Sequence, residues 1–587
     1  MTTSRPRPRP RAALRRVATI STGLVAVALT GVVAVVGVPE GWGAAPGAVA
    51  SDVEQIEAST PERVLVCPAP VRLADTTQVG DAQFSAAPVE TATALRAAVV
   101  GAAGAGTANP GDTPVNLTGL DALDASPLEQ GDGATTVSLA DVTGSEVLRV
   151  GAGMPVDTRV AASVGSVTTA GDLRGLAAAS CSAPDISHWL VGGSTEVGSS
   201  AQLVLQNPGR TPATVRLSVW GPGGPVVLSG GGQYLVPPGE EVVTLVEAVA
   251  PEQRRLAVHV ESTGGTVAAY LQHSTLDGLV PVGVDFVAPG AEPGTALALG
   301  VTSAGESVED PSAPQLRLLA PGTEAGTATV TVYGTDGRVR LRGGEEQDLT
   351  PGAVTDVSLG GLPVGDYTVV VDSTVPVVAG AQQARAGDPV PDSLDDTPQV
   401  DRAWVVATAL DPAAASRPVG EDTSEAAGAI EPTTARTTDR GTVALVPGTS
   451  STVRVGAVPS TPSERADDAT STGAFSGTLR AYGADGALLG ETALSVGAGT
   501  TISLDALELG GGTDPAVLTL DASEKSAGSS EDGPAPVWSV LASAGAPVAG
   551  AAEGAPGSLL SVLVPVPPAS SQGTVAVRAT STAGLPD

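Results

Sequence analysis

Asp185, Ser187 and His188 stand within four residues of one another and are the residue types of a nucleophilic serine site. In such a site the histidine takes the serine proton and the acid orients the histidine, so all three side chains must converge. The surrounding residues read as a strand, where neighbours point to alternate faces, so this spacing does not make a triad. The other histidines, His259 and His273, lie far along the chain. No serine sits in a G-x-S-x-G elbow, no H-E-x-x-H pair occurs, and the glycine-rich run Gly101 to Gly106 reads as low-complexity linker. Two cysteines and three scattered histidines are too few ligands for a zinc site. The Asp336-Gly337 and Asp485-Gly486 pairs lack the spaced acids of a calcium loop and read as turns. A carboxylate pair for glycoside chemistry is a spatial arrangement that sequence does not display. No catalytic, cofactor-binding or metal-binding residue is therefore assigned, and the chain is expected not to be an enzyme.

The compartment is written at the N-terminus. Residues 5–16 carry six arginines, and no charge follows from Val17 to Pro39. The apolar stretch Val17 to Val38 would span about 33 Å as a helix, enough to cross a bilayer. Arginines on one side only predict a cytoplasmic tail over 1–16 and an anchor over 17–38. The alternative is a signal peptide cut after Ala48-Val49-Ala50, an A-x-A site. On either reading the chain beyond Ser51 lies outside the cytoplasm, where two cysteines most simply pair. A Cys67–Cys181 disulfide is expected.

Net charge is −33, and the acidic excess lies outside the arginine-rich first fifty residues. Lys525 is the only lysine. An acidic body of this kind is a poor phosphate binder, which argues against nucleic acid as a partner. Aromatic residues make up 2% of the chain, so Ala, Val, Gly, Thr and Pro must fill the cores. Such small apolar residues with frequent turn signals favour short strands over Leu-rich helices.

Self-comparison shows three copies of one pattern. An apolar run ends in Pro-Gly at Leu203–Gly209, Leu316–Gly322 and Val443–Gly448. An alternating strand then ends on an aromatic residue and a glycine turn, at Trp220, Tyr333 and Tyr482. Further alternating strands follow, such as RRLAVHVES and DYTVVVDS, and Trp189, Phe286 and Trp404 precede the copies. Strict alternation buries one face of each strand, and Asp-Gly between two such strands is hairpin chemistry. About six or seven short strands in roughly 100–125 residues predict an all-β chain of tandem immunoglobulin-like sandwiches. The expected domains are a β-rich region over 51–185, repeats over 186–284, 285–400 and 401–550, and a C-terminal segment 551–587. Trp220, Tyr333 and Tyr482 are expected in the core of each repeat. The stretches 387–399, 411–440, 460–472 and 521–536 are rich in Pro, Ser, Thr, Asp and Glu and read as linkers or long loops.

GLAAASCSAPDISHWLVGGST (Gly175 to Thr195), LVLQNPGRTPATVRLSVWG (Leu203 to Gly221) and VLVCPAPVRL around Cys67 resemble DUF5719, a family of large actinobacterial envelope proteins of unknown function. The resemblance extends over most of residues 60–550. It implies one N-terminal membrane segment and a genomic association with envelope glycosyltransferases, and it offers no catalytic residue to carry over. Two functions follow as expectations. One is a non-catalytic ectodomain that binds or scaffolds an envelope protein or glycan. The other is an envelope polysaccharide-processing enzyme or accessory subunit with an unrecognised acidic site.

Overall fold

Ala213–Gly221 illustrates how this composition folds: Ala213, Val215, Leu217 and Val219 are buried, while Thr214 and Arg216 are exposed. One face per strand is thus supplied by small β-branched or aliphatic side chains, which pack on a pleated surface without large aromatics. The computed structural model describes residues 61–568 except 75–90, 102–114, 122–124, 127, 131–132, 156, 343, 390–397, 411–438, 467–472, 524–532 and 547–556, together with 54–56 and 575–577. The basic tail, the apolar segment 17–38, the Ala48–Ala50 site and most of the acidic linkers lie outside these residues. Among the described residues no helix is long and apolar enough to cross a membrane.

The chain divides into two compact units. Of the first, the structure describes an antiparallel ribbon of Glu54–Ile56 with Val575–Val577. The second, Ser59–Gln572, holds everything that follows.

The described residues of this second unit form four modules. The first contains β1 (Arg63–Val66), β2 (Thr91–Val100), β3 (Val115–Gly119), β4 (Ala125–Ser126), β5 (Ala134–Leu139), β6 (Glu146–Val150), β7 (Arg159–Thr168) and β8 (Gly175–Ser180). The second has β9 (Ser187–Val191), β10 (Ser199–Gln206), β11 (Ala213–Gly221), β12 (Gln233–Val236), β13 (Glu241–Leu245), β14 (Ala257–Thr263), β15 (Ala268–Asp277) and β16 (Val280–Val287). The third has β17 (Gly294–Ser303), β18 (Gln315–Leu319), β19 (Gly326–Gly334), β20 (Glu346–Leu349), β21 (Thr355–Ser358), the long β22 (Gly365–Pro389) and β23 (Pro398–Val406). The fourth has β24 (Asp439–Ala444), β25 (Ser450–Val458), β26 (Ala474–Tyr482), β27 (Leu488–Gly497), β28 (Thr500–Asp505), β29 (Val517–Ala522), β30 (Ala535–Ala544) and β31 (Leu559–Leu563).

Every module repeats one antiparallel pairing scheme. Its first, sixth, third and fourth strands form one sheet in that order, and its fifth, second, seventh and eighth form the other. In the third module β22 supplies both the sixth and the seventh strand, passing from one sheet to the other. Each pair of sheets encloses its own apolar core. The expected β-rich region 51–185 is therefore a fourth copy of the same unit, placed first. The disulfide joins Cys67, just after β1, to Cys181, just after β8, across a sequence separation of 114. It closes the first module where Val66 and Ser182 exchange backbone hydrogen bonds.

Three sequence expectations need correction. Boundaries at 284/285 and 400/401 cut through β16 and β23, and the presumed C-terminal segment contains β31. The Pro-Gly at Val443–Gly448 lies between the first and second strands of its module, whereas the other two lie between the second and third. Long acidic insertions had displaced the alignment there. Finally, Trp220, Tyr333 and Tyr482 do occupy equivalent third strands, but they are not in the cores of their own modules. Each faces the next module. Trp220 packs with Trp189 against Leu319, Val354 and Val378. Tyr333 meets Val458 and Val537, and Tyr482 meets Ala98, Val100 and Ala134. Between the first and second modules Leu120, beyond the end of β3, packs by Val66, Val147 and Ala268. The first-strand sheet of each module thus packs on the fifth-strand sheet of the next, and the fourth returns to the first. The closing interface adds an ion-pair network of Arg159 with Asp439 and Asp521, and Arg480 with Asp521. Direct packing, not linkers, relates the modules.

The four last strands β8, β16, β23 and β31 are sheet edges that meet at a hub. Edge strands carry backbone N–H groups with no ladder partner, and burying them unpaired would be costly. Two aspartates accept them. Asp285 accepts from Ala178 N, Trp404 N and Ser561 Oγ at 3.2, 2.7 and 2.8 Å. Asp401 Oδ2 accepts from Leu176 N and Leu560 N at 3.1 and 2.9 Å. Glycine at 175 and 283 permits this closeness, since a Cβ on Gly175 would come within 2.7 Å of Asp401 Oδ1 and one on Gly283 within 2.6 Å of Arg402 N.

Burial raises both carboxyls, Asp285 well above its ordinary value and Asp401 to about 7. The folded hub therefore binds a proton at Asp401 that the unfolded chain releases near pH 4. Stability from this group is complete below about pH 4 and is lost as pH rises through about 7. An Asp401→Asn variant can keep the two N–H bonds through its carbonyl oxygen and cannot ionise. Thermal midpoints of the full chain from pH 4 to 8 should fall less steeply in the variant than in the wild type. Parallel profiles would contradict this assignment.

Candidate functional site

Chemistry-bearing side chains gather on the outer face of the β9–β14–β11 sheet of the second module. The ladder sets Trp189 opposite His259 and His259 opposite Ser218, and it sets Trp220 opposite Ala257. Period-two alternation keeps Ser187, Trp189, His259, Arg216, Ser218 and Trp220 on this one face. The imidazole of His259 stacks on Trp189 with centroids 4.1 Å apart and planes at 9°, and Trp220 lies 5.2 Å from Trp189. Glu292, from the link between β16 and β17, folds back over the group. One of its oxygens accepts from Ser187 Oγ at 2.8 Å and the other from Trp189 Nε1 at 3.1 Å.

Ser187 Oγ also lies 3.0 Å from His259 Nε2. Burial holds this imidazole below its ordinary range, with Glu261 and Glu292 opposing that shift. A hydroxyl has one proton, and the carboxylate is the stronger acceptor, so His259 donates to Ser187 through Nε2–H. Serine thus stands between acid and histidine, whereas a nucleophilic triad needs the histidine between acid and serine. The arrangement fixes the Glu292 link and the indole of Trp189.

The residues singled out by sequence are not brought together. His188 points to the opposite face and its Nε2 bonds Val267 O at 2.7 Å. The Asp185 carboxylate accepts from Ile186 N at 2.6 Å. His273 is buried against Trp404, accepts from its Nε1 at 3.3 Å, and is held near pKa 3 by burial and the nearby Arg317. Gly337 and Gly486 both take positive φ, at 115° and 76°, as turn residues do. Among the described residues no group of three or more His, Cys, Asp or Glu is placed to hold a metal ion. His259 and Glu292 were not anticipated. The alternating pattern around His259 could have put it on the Ser187 face once the strand order was known. Glu292 sits in an irregular link where no periodicity applies.

Beside this cluster a shallow cleft of about 490 Å³ runs along β11. Arg216, Ser218 and Trp220 form its floor, the Pro225–Leu228 hairpin one wall, and Pro321 of the third module the other. Val227 in that wall is 94% exposed. A guanidinium, a hydroxyl and a half-buried indole side by side can donate hydrogen bonds and offer a flat apolar surface, which is a set for binding.

No curated protein matches the chain. Among solved structures, a biofilm associated protein, BSP domain, aligns over 88% of this chain and 96% of its own length at 9% identity with a TM-score of 0.12, too low to carry any argument. Residues 136–507, from the fifth strand of the first module to just past β28 of the fourth, match the family described as of unknown function, DUF5719. That match spans more than half of the 587 residues and most of the four-module body, and the chain belongs to DUF5719.

Proposed function

We propose that this chain is a non-catalytic binding or scaffolding protein of the actinobacterial cell envelope. Its body would be held outside the cytoplasm by the apolar segment 17–38, or released by cleavage near Ala50, and its modules would be immunoglobulin-like sandwiches. The observation that carries the reading is the closed cycle of packed faces. Ser187, His259 and Glu292 are bonded to one another, and Asp285 and Asp401 hold backbone donors at the hub. With these groups committed to holding the body together, function falls to its surface. The cleft over Arg216, Ser218 and Trp220 is the contact surface best equipped for it.

Co-sedimentation of the full chain with isolated cell walls, before and after the walls are stripped of protein, tests this. Retention on stripped walls identifies a glycan, and retention only on untreated walls identifies a protein. A folded Arg216→Glu, Val227→Asp double variant should bind roughly tenfold more weakly, as when central contacts of an interface are lost. Steady release of soluble wall fragments without retention would instead support a polysaccharide-processing enzyme.

A further inference from the structure

Arg454 on β25 is 2% exposed and faces the third module. Its Nη1 donates to Thr302 Oγ1 at 3.0 Å, while its Nε and Nη2 are buried without an acceptor among the described residues. No carboxylate of the described residues lies within ion-pair distance. A buried guanidinium so placed pays a large desolvation cost unless an anion compensates it.

Two further buried donors stand beside it. Gln383 accepts from Thr302 N at 2.8 Å through Oε1, and its Nε2 has no acceptor among the described residues. Ser539, opposite Arg454 in the ladder, has an Oγ without a partner among the described residues. Ser539 Oγ and Arg454 Nε border the same spot on β17, because a Cβ on Gly300 would lie 3.0 Å from the first and 3.7 Å from the second. Gln383 is tied to it through Thr302, which donates to Gln383 through N and accepts from Arg454 through Oγ1. The other charged groups facing the site are Asp366 and Arg385. Asp366 acts on Arg454 through space, without an ion pair, and its hydrogen-bond link to it runs through Thr302, whose hydroxyl donates to Asp366 at 2.5 Å. Arg385 donates to Ser543 Oγ and Gly557 O, both at 2.8 Å. Two guanidiniums and one carboxylate leave a single positive charge.

The preceding interface shows how the same position is neutralised elsewhere in the chain. Arg317, on the second strand of the third module as Arg454 is on that of the fourth, faces Asp356 across the ladder to the fifth strand. It is bidentate to that carboxylate at 2.9 and 3.1 Å, and it donates to Gly193 O at 2.6 Å. The residue facing Arg454 across the corresponding ladder is Ser503, whose hydroxyl is turned to Asp366 at 2.6 Å. The carboxylate that completes one interface has no counterpart in the next.

We propose that a small monovalent inorganic anion of the size of chloride binds between the third and fourth modules, held by Arg454 Nε and Nη2, Gln383 Nε2 and Ser539 Oγ. It supplies the charge that Asp356 supplies to Arg317. Bromide is the probe. Crystals of the full chain grown in bromide should give an anomalous peak within hydrogen-bond reach of Arg454 Nε and Gln383 Nε2. The thermal midpoint should rise by a few degrees, saturably, when chloride replaces gluconate at constant ionic strength. Arg454→Met should abolish both effects, and if that variant does not fold, the wild-type bromide data decide. Ordered water alone at the site, indifferent to bromide, overturns the proposal, as do equal midpoints in the two salts.

Discussion

Replacing Tyr333 by alanine should cost about 3–5 kcal/mol, with the loss shared by the third and fourth modules. The ring is 4% exposed and lies between Ala298 and Val370 of its own module and Val458 and Val537 of the next. Its backbone carbonyl accepts from Thr501 Oγ1 of the fourth module at 2.8 Å, and Gly499 packs on its edge. Truncation would open a cavity at a junction, not within one core. The phenolic oxygen is buried without a partner among the described residues, and burial pushes its pKa up to about 12. Tyr333→Phe should therefore be neutral or slightly stabilising, since it removes a desolvated hydroxyl and keeps the ring. Urea unfolding of both variants, with proteolytic mapping of the two modules, checks this. Loss confined to the third module would return Tyr333 to the role expected from sequence.

Opening the Cys67–Cys181 bridge, by reduction or by a Cys181→Ser substitution, should remove about 4–5 kcal/mol on the chain-entropy account of a loop this long. Both sulfurs sit in the core of the first module, and Cys181 follows β8, which contributes Leu176 and Ala178 to the hub. The damage should accordingly reach beyond the first module. Calorimetry should show one broad transition moved down in temperature, with no early, isolated melt of the N-terminal region. An unshifted main transition after complete reduction would mean that the bridge constrains only its own loop.

Much of the body was legible because alternation is a local signal. The strands Ala213–Gly221, Gly326–Gly334 and Ala474–Tyr482 were each marked by it, and their terminal aromatics stand at or next to the end of the third strand in each module. Alternation does not say what lies against the second face, however. An aromatic at the end of such a strand has the same pattern whether it points into its own core or against a neighbour. The first module was missed for a different reason, since β3 ends in Leu117-Thr118-Gly119 with no aromatic marker. Its signature was nonetheless present: Asn109-Pro-Gly-Asp-Thr-Pro114 precedes β3 just as Asn207-Pro-Gly-Arg-Thr-Pro212 precedes β11. The hub was not legible at all. Asp285 and Asp401 look like two acids among 63, and only the meeting of four edge strands gives them their role.

The return of the fourth module onto the first bears on how such a chain can evolve. An open array gains or loses units by duplication and deletion, because each unit needs only its neighbours and a cap at either end. Here Tyr482 requires Ala98 and Val100 from the far end of the body, and Arg159 requires Asp439 and Asp521. Loss of one unit would uncover two apolar faces at once, and gain of one would leave the curvature mismatched. The closed packing thus constrains copy number. Added length is tolerated elsewhere, as in the acidic stretches 411–438 and 524–532, which extend the chain without adding a unit.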